Sequence, residues 1–459
     1  MTGKSVTGLS LAVITLAGCT MQPAYVRPPI AVPDRWQGAE VLGSTQPLWP
    51  DGAWWQSFGD VTLNGLVDAA LADNHDLKAA VSRIAQARST ARIAASSLYP
   101  TVDGKLRAER SRTFSGHSHP NSFIAELGAI YDPDLWGKSR SSRRAAQADV
   151  LAAEFARANV ALVLQTDVTL GYLLLAALDQ RIGLSHQNIE AAHRIDAIVD
   201  ARYRAGAVSE LDRALSKTSL LSIEAGLPAL EQSRQQALQA LAILVGKNPS
   251  DLVVQPPPVT RFTVPSTLLV GIPSELLQRR PDLRQAEANL IAANANIGVA
   301  RAMLFPSISL TGQGGYVNDQ LSTLVRNSNG IVALGGSVLA PIFHGGSLRA
   351  NVNRSTERYE ELLQQYQQTI LGALREVESA LIALQKLGAQ VTLLQEAERQ
   401  AQRAFELAEV RYRSGATDAI TMLNAQNTWV GLQNSVLQSH LSQIDAWVSL
   451  FKALGGGGQ

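Results

Sequence analysis

The chain has a single cysteine, Cys19, in 459 residues, so no disulfide can staple it internally. Aromatic residues make up only 5% of it although 46% is hydrophobic, and much of that apolar content is alanine. This suits long helices in close contact better than a thick globular core. Charge of one sign is lacking too: 40 basic side chains stand against 39 acidic ones, a net of +1. With no basic stripe interleaved with aromatics, nucleic acid is set aside as a partner. No uninterrupted run of 18 apolar residues follows Cys19, so no helix is expected to cross a bilayer. Catalytic signatures are missing as well: there is no Gly-x-Ser-x-Gly, no phosphate-binding glycine loop and no cysteine pair. His117-x-His119 falls in a polar turn without a nearby carboxylate, and His186 and His193 are seven apart on a wet helix face. Neither spacing supports a metal site or a metal-exporting role.

What is present is a duplication. Asn74-x-Asp76-Leu77 returns as Arg280-Pro281-Asp282-Leu283, and Asp76 and Asp282 stand 206 positions apart. Carried forward, the same offset superposes Tyr99-Pro100 on Phe305-Pro306. Arg202-Tyr203-Arg204-Ala205-Gly206 recurs as Arg411-Tyr412-Arg413-Ser414-Gly415 with only three residues of drift. A repeat near 200 residues is far longer than a solenoid unit, so the chain reads as two halves of one structure.

In chain order, residues 1–18 read as an export signal, with Lys4 ahead of an apolar run. Leu16-Ala17-Gly18-Cys19 resembles a lipobox, which makes Cys19 the expected site of diacylglycerol and palmitate. Thr20 follows it rather than the aspartate that bacterial sorting associates with inner-membrane retention. The next segment, 19–62, is broken by Pro23, Pro28, Pro29, Pro33, Pro47 and Pro50 and should lie extended, anchored by Trp36, Trp49, Trp54 and Trp55. The first repeat is placed at 63–248, a proline-rich linker at 249–273, the second repeat at 274–454 and a glycine-rich tail at 455–459.

Each repeat is expected to hold a helix, a β-hairpin and a long helix pair. The first helix should run from 63 to 98, ended by Tyr99-Pro100. Val102, Gly104, Leu106 and Ala108 then alternate with Asp103, Lys105, Arg107 and Glu109, the period of a strand with one apolar and one charged face. Residues 123–131 return, and 307–314 with 331–339 repeat the hairpin. Helices at 138–204 and 347–413 carry apolar residues in steps of three and four, as coiled coils do, and at 1.5 Å per residue would span about 100 Å. Gly206 and Gly415 should close them as left-handed caps. Return helices are expected at 209–245 and 418–454.

Four strands cannot close a barrel, and a lipid-facing sheet cannot leave its edges unpaired, so the missing strands must come from other copies. A soluble α+β protein with two half-buried hairpins would leave the long wet helices and the lipobox without a role.

The Trp55-x-x-Phe58-x-Asp60 start, Asn74-x-Asp76-Leu77, Arg279-Arg280-Pro281-Asp282-Leu283, the Tyr-Arg-x-Gly pair and Pro341-Ile342-Phe343-x-Gly345-Gly346 together resemble the TolC family of outer-membrane efflux factors, in its lipidated OprM/NodT branch. The resemblance implies a mixed α and β fold: a long α-helical coiled-coil barrel plus a transmembrane β-barrel, four strands per protomer, in a homotrimeric channel. It implies three partners: outer-membrane lipid, a periplasmic membrane-fusion adaptor and an inner-membrane pump of the resistance-nodulation-division class. Passage of drugs or other small toxic solutes is the implied activity, with no enzyme and no cofactor. A protein-secretion duct, or a non-conducting envelope lipoprotein, remains the alternative. The family's gate maps to Tyr203, Gly206, Asp212, Tyr412, Gly415, Ile420 and Asn424. A Tyr412 hydroxyl to Asp212 carboxylate bond is expected to latch it. Thr417, Thr421 and Asn424 replace the family's arginine and acidic ring, and Ile420 falls at an apolar constriction.

Overall fold

The computed structural model describes residues 20–30, 32–36, 52–110, 121–264 and 273–456. Cys19, Trp49, His117 and His119 lie outside them. The elements run α1 (Val61–Asp73), α2 (His75–Ser96), β1 (Thr101–Glu109), β2 (Ser122–Tyr131), α3 (Lys138–Arg204), α4 (Glu210–Glu224), α5 (Gly226–Leu244), α6 (Leu276–Arg279), α7 (Pro281–Ala302), β3 (Ser307–Asn318), β4 (Gly330–Leu339), α8 (Ser347–Arg413) and α9 (Ala419–Ala453). The two long helices, α3 and α8, have 67 residues each.

Two compact units divide this chain. One comprises residues 1–30, 82–154 and 285–368 and holds the four strands. Its N-terminal segment is laced to helices: Arg144 donates to Gln22 (3.0 Å), Asn294 to the Pro23 carbonyl (2.9 Å), and Arg27 pairs with Glu287. Gly298 of α7 is where that segment comes closest, since a Cβ there would sit 2.7 Å from the Gln22 Cβ and 2.9 Å from Ser141 Oγ. At the start of α3, Asp134 accepts from the Ser139 and Arg140 backbone N–H groups and complements the helix dipole.

The other unit comprises residues 31–81, 155–284 and 369–459. Its core joins Trp54, Trp55, Leu63 and Val67 to Val168, Tyr172 and Leu175 of α3, Leu241 of α5 and Leu441, Ile444 and Val448 of α9. The family-like motifs act here as clamps. Asp60 caps α1 by accepting from Leu63 N–H (2.9 Å) and also accepts from the Tyr172 hydroxyl (3.1 Å). Asn74 caps α2 through Leu77 N–H and donates to the Leu244 carbonyl at the end of α5, both at 3.0 Å. Arg280 stands 206 positions later and makes the matching tie, donating to the Ala453 carbonyl at the end of α9 while pairing with Asp282 and Glu376. One joint is thus made once with a neutral amide and once with a buried guanidinium.

Two expectations are corrected. The first helix does not run unbroken from 63 to 98: it divides at Asn74, because that side chain caps α2 and leaves the ladder of α1. The return helix at 209–245 divides at Ala225, just before Gly226 and Pro228, where proline removes a ladder donor. An 18-residue stretch of α3, with mean hydropathy 1.7 and at most two charged residues, is long and apolar enough to cross a bilayer. Since 56% of that stretch is buried and α3 packs in the core just described, it reads as a core helix.

Candidate functional site

The sheet is antiparallel in the order β1-β2-β3-β4. Because strand residues alternate faces, register decides what each face presents. On one face Val102 lies opposite Ala129, Leu106 opposite Ala125 and Ala108 opposite Phe123. The same face continues through Leu127 and Gly314 to Val332, and through Gly312 and Ile308 to Leu334 and Val338. The result is one continuous apolar surface, with Leu106, Val332 and Leu334 exposed at 86%, 85% and 88%. The opposite face carries Asp103, Arg107, Thr311, Gln313 and Ser337, with a Lys105 Nζ to Glu126 Oε1 pair at 3.0 Å, interrupted by Ile124, Ile130, Val317, Ile331 and Leu339. Among the described residues β1 and β4 each have a single strand neighbour. A bare apolar face of this extent on 9, 10, 12 and 10-residue strands fits hydrocarbon, which a tilted strand crosses in about 9–11 residues.

The ends of α3 and α8 form the second feature. Gly206 and Gly415 adopt φ of 71° and 76°, a left-handed conformation that a side chain would strain. In the first turn Gly206 N–H reaches Tyr203 O and Ala207 N–H reaches Arg202 O, both at 2.9 Å. In the second, Gly415 reaches Tyr412 O (3.0 Å) and Ala416 reaches Arg411 O (2.8 Å). Both are Schellman closures made from the same residue types. Ile195, Val199, Phe405, Ala408, Met422 and Leu423 pack with Tyr412 beneath them.

The expected Tyr412–Asp212 latch is not formed in the chain. Ser209, Glu210, Leu211 and Asp212 make a capping box, in which Asp212 Oδ2 accepts from Ser209 N–H (2.9 Å) and Oγ–H (2.7 Å). This local partner occupies the carboxylate. Tyr412, only 1% exposed, has a buried hydroxyl without a hydrogen-bond partner, and burial pushes its pKa up against the opposing influence of Arg202. Arg202 instead joins the two turns: its guanidinium lies 4.6 Å from the Tyr412 ring centroid and donates to the Tyr412 carbonyl. Sequence reading missed Arg202 as a tie, although it stands in the Arg-Tyr-Arg pair that marks the turn.

The remaining positions expected at a gate are dispersed over this end. Arg213 lies over the Tyr203 ring, 5.0 Å from its centroid, and a hydrogen bond with Glu210 raises the Tyr203 pKa. Ile420 and Asn424 are exposed on the first turns of α9. Asp418 caps that helix through Thr421 N–H (2.8 Å), and its bonds with Thr421 hold its carboxyl below the usual range. Away from this end His193 pairs with Glu224 at 2.9 Å.

The family model for outer membrane efflux proteins matches residues 66–247 and 272–456. The chain belongs to that family. The pyoverdine export outer membrane protein OpmQ of Pseudomonas aeruginosa is 36% identical, over 99% of this chain and 98% of its own. The toluene efflux pump outer membrane protein TtgI of Pseudomonas putida is 32% identical, over 97% of each. Among solved structures, the Campylobacter jejuni CmeC outer membrane channel aligns with a TM-score of 0.90 and 28% identity, covering 96% of both chains. The family's members are outer-membrane efflux channels rather than enzymes, and this chain is an outer-membrane protein of that kind.

Proposed function

We propose that three copies of this efflux protein bring their four strands together into one twelve-stranded outer-membrane barrel, with their helices enclosing a water-filled duct beneath it. The observation that carries this reading is the sheet: a continuous apolar face, with β1 and β4 each left at an edge. Further copies satisfy both edges, and lipid covers the face. Solutes would be handed to the duct by an inner-membrane pump of the resistance-nodulation-division class and a periplasmic membrane-fusion adaptor, with the energy spent at the pump. Relatives named for pyoverdine export and toluene efflux support small solutes as the cargo class.

Within this reading the repeats span 63–248 and 274–454, and Cys19 carries diacylglycerol and palmitate. The gate lies at the Schellman turns, with Tyr203, Gly206, Asp212, Tyr412, Gly415, Ile420 and Asn424 around it and Arg202 as the tie between turns. Recording purified protein in a planar bilayer tests it. Ion conductance that rises when Arg202 is replaced supports a gated duct, whereas folded protein that conducts in neither form would point to a structural envelope lipoprotein.

A further inference from the structure

Apart from the sheet and the helix ends, α3, α8 and α9 line an open groove of about 480 Å³. Arg181 lines it from α3, Gln390 from α8, and Asn434, Gln438 and Ser439 from α9, and no acidic side chain is among the groups lining it. Arg181 Nε is buried and unpartnered, and the guanidinium makes no hydrogen bond or ion pair with another described residue. In the same unit Arg234 closes on Asp179. Ser439 is 5% exposed, and its Oγ is likewise buried without a partner. One turn earlier Ser435 donates back to the Gly431 carbonyl (2.8 Å), and Asn434 to that of Val430 (3.0 Å). Ser439 does not take the equivalent helix carbonyl, so its hydroxyl is left without an acceptor at the wall of the groove.

Two buried donors, one of them carried by a cation, thus line a recess that offers no protein counter-charge. Leaving such groups unsatisfied is costly, and an oxyanion supplies the acceptors and the charge they lack. We propose that this groove binds a small oxyanion, a carboxylate or phosphate group of a solute, held by the Arg181 guanidinium and the Ser439 hydroxyl. The planar fork of arginine matches both chemistries, and the amides of Gln390 and Gln438 supply further donors at the rim.

The test is calorimetric titration of the detergent-extracted, assembled protein at low salt with inorganic phosphate and, separately, with succinate. Saturable binding of either probe at one site per chain is expected, and the probe that binds assigns the class. Arg181→Gln should weaken it about tenfold or more, and Ser439→Ala several-fold, as loss of hydrogen bonds to a charged group predicts. Assembly of each variant is checked by its unheated mobility, and Ser439→Ala carries the test alone if Arg181→Gln fails to assemble. The proposal is overturned if neither probe binds saturably. It is overturned equally if the assembled variants bind as the wild type does, which would mark an adventitious ion only.

Discussion

Arg202 is the residue that ties the ends of α3 and α8 to each other. It bonds the Tyr412 carbonyl and covers the Tyr412 ring, while the Tyr412 hydroxyl has no partner. Arg202→Gln should therefore cost about 1–2 kcal/mol and raise resting conductance. Tyr412→Phe should stay within about 0.5 kcal/mol of wild type and leave conductance unchanged. Thermal melts and single-channel recordings of the two variants check both, and the reverse ranking would return the latch to the hydroxyl. Asp445 of α9 offers a second test, since burial pushes its carboxyl up to about 6 from an ordinary 3.8. The folded state then binds the proton more tightly than the unfolded one, so this group's contribution to stability falls as pH rises from about 4 to about 6. Asp445→Asn should flatten that limb of the pH–stability curve by on the order of 2 kcal/mol, and an unchanged curve would place the dependence elsewhere. The two turns that the proposed gate is built on were legible in the sequence because Gly206 and Gly415 punctuate matching patterns. Their bonding was not, because a near partner wins over a remote one: Ser209-x-x-Asp212 captures the carboxylate that the family pattern assigns to Tyr412.

Among the elements, periodicity foretold the long helices well, because steps of three and four apolar residues over many turns admit no other backbone. Both α3 and α8 occupy the residues so read, and the alternation around Leu106 and Leu310 gave the strands. The break at Asn74 escaped for a physical reason. Its side chain caps α2 while its amide reaches the Leu244 carbonyl, 170 residues away, and a contact of that range leaves no mark on local spacing. The path of the N-terminal segment was legible only as an extended chain, because proline excludes a helix without choosing the surface beneath it. Gly298 makes that choice testable: Gly298→Ala should lift the segment around Gln22 while the Arg27–Glu287 pair still holds farther on. Hydrogen–deuterium exchange should quicken several-fold at residues 21–24, and unchanged protection there would mean the segment packs elsewhere.

For the whole molecule, the apolar sheet face is the feature that an isolated chain cannot accommodate in water. An aspartate at Leu334, on that face, should cost up to about 2 kcal/mol near the membrane centre and reduce assembly, whereas one at Ser309, on the opposite face, should be tolerated. Yields of heat-dissociable assembly in membranes compare the two, and equal tolerance would deny the lipid assignment. The central claim, that copies of the chain close one another's sheet edges, is tested most directly by the native mass of the detergent-extracted protein. The account predicts a single species at about three times the mass of the heat-dissociated chain. A folded species with the mass of one chain would contradict it.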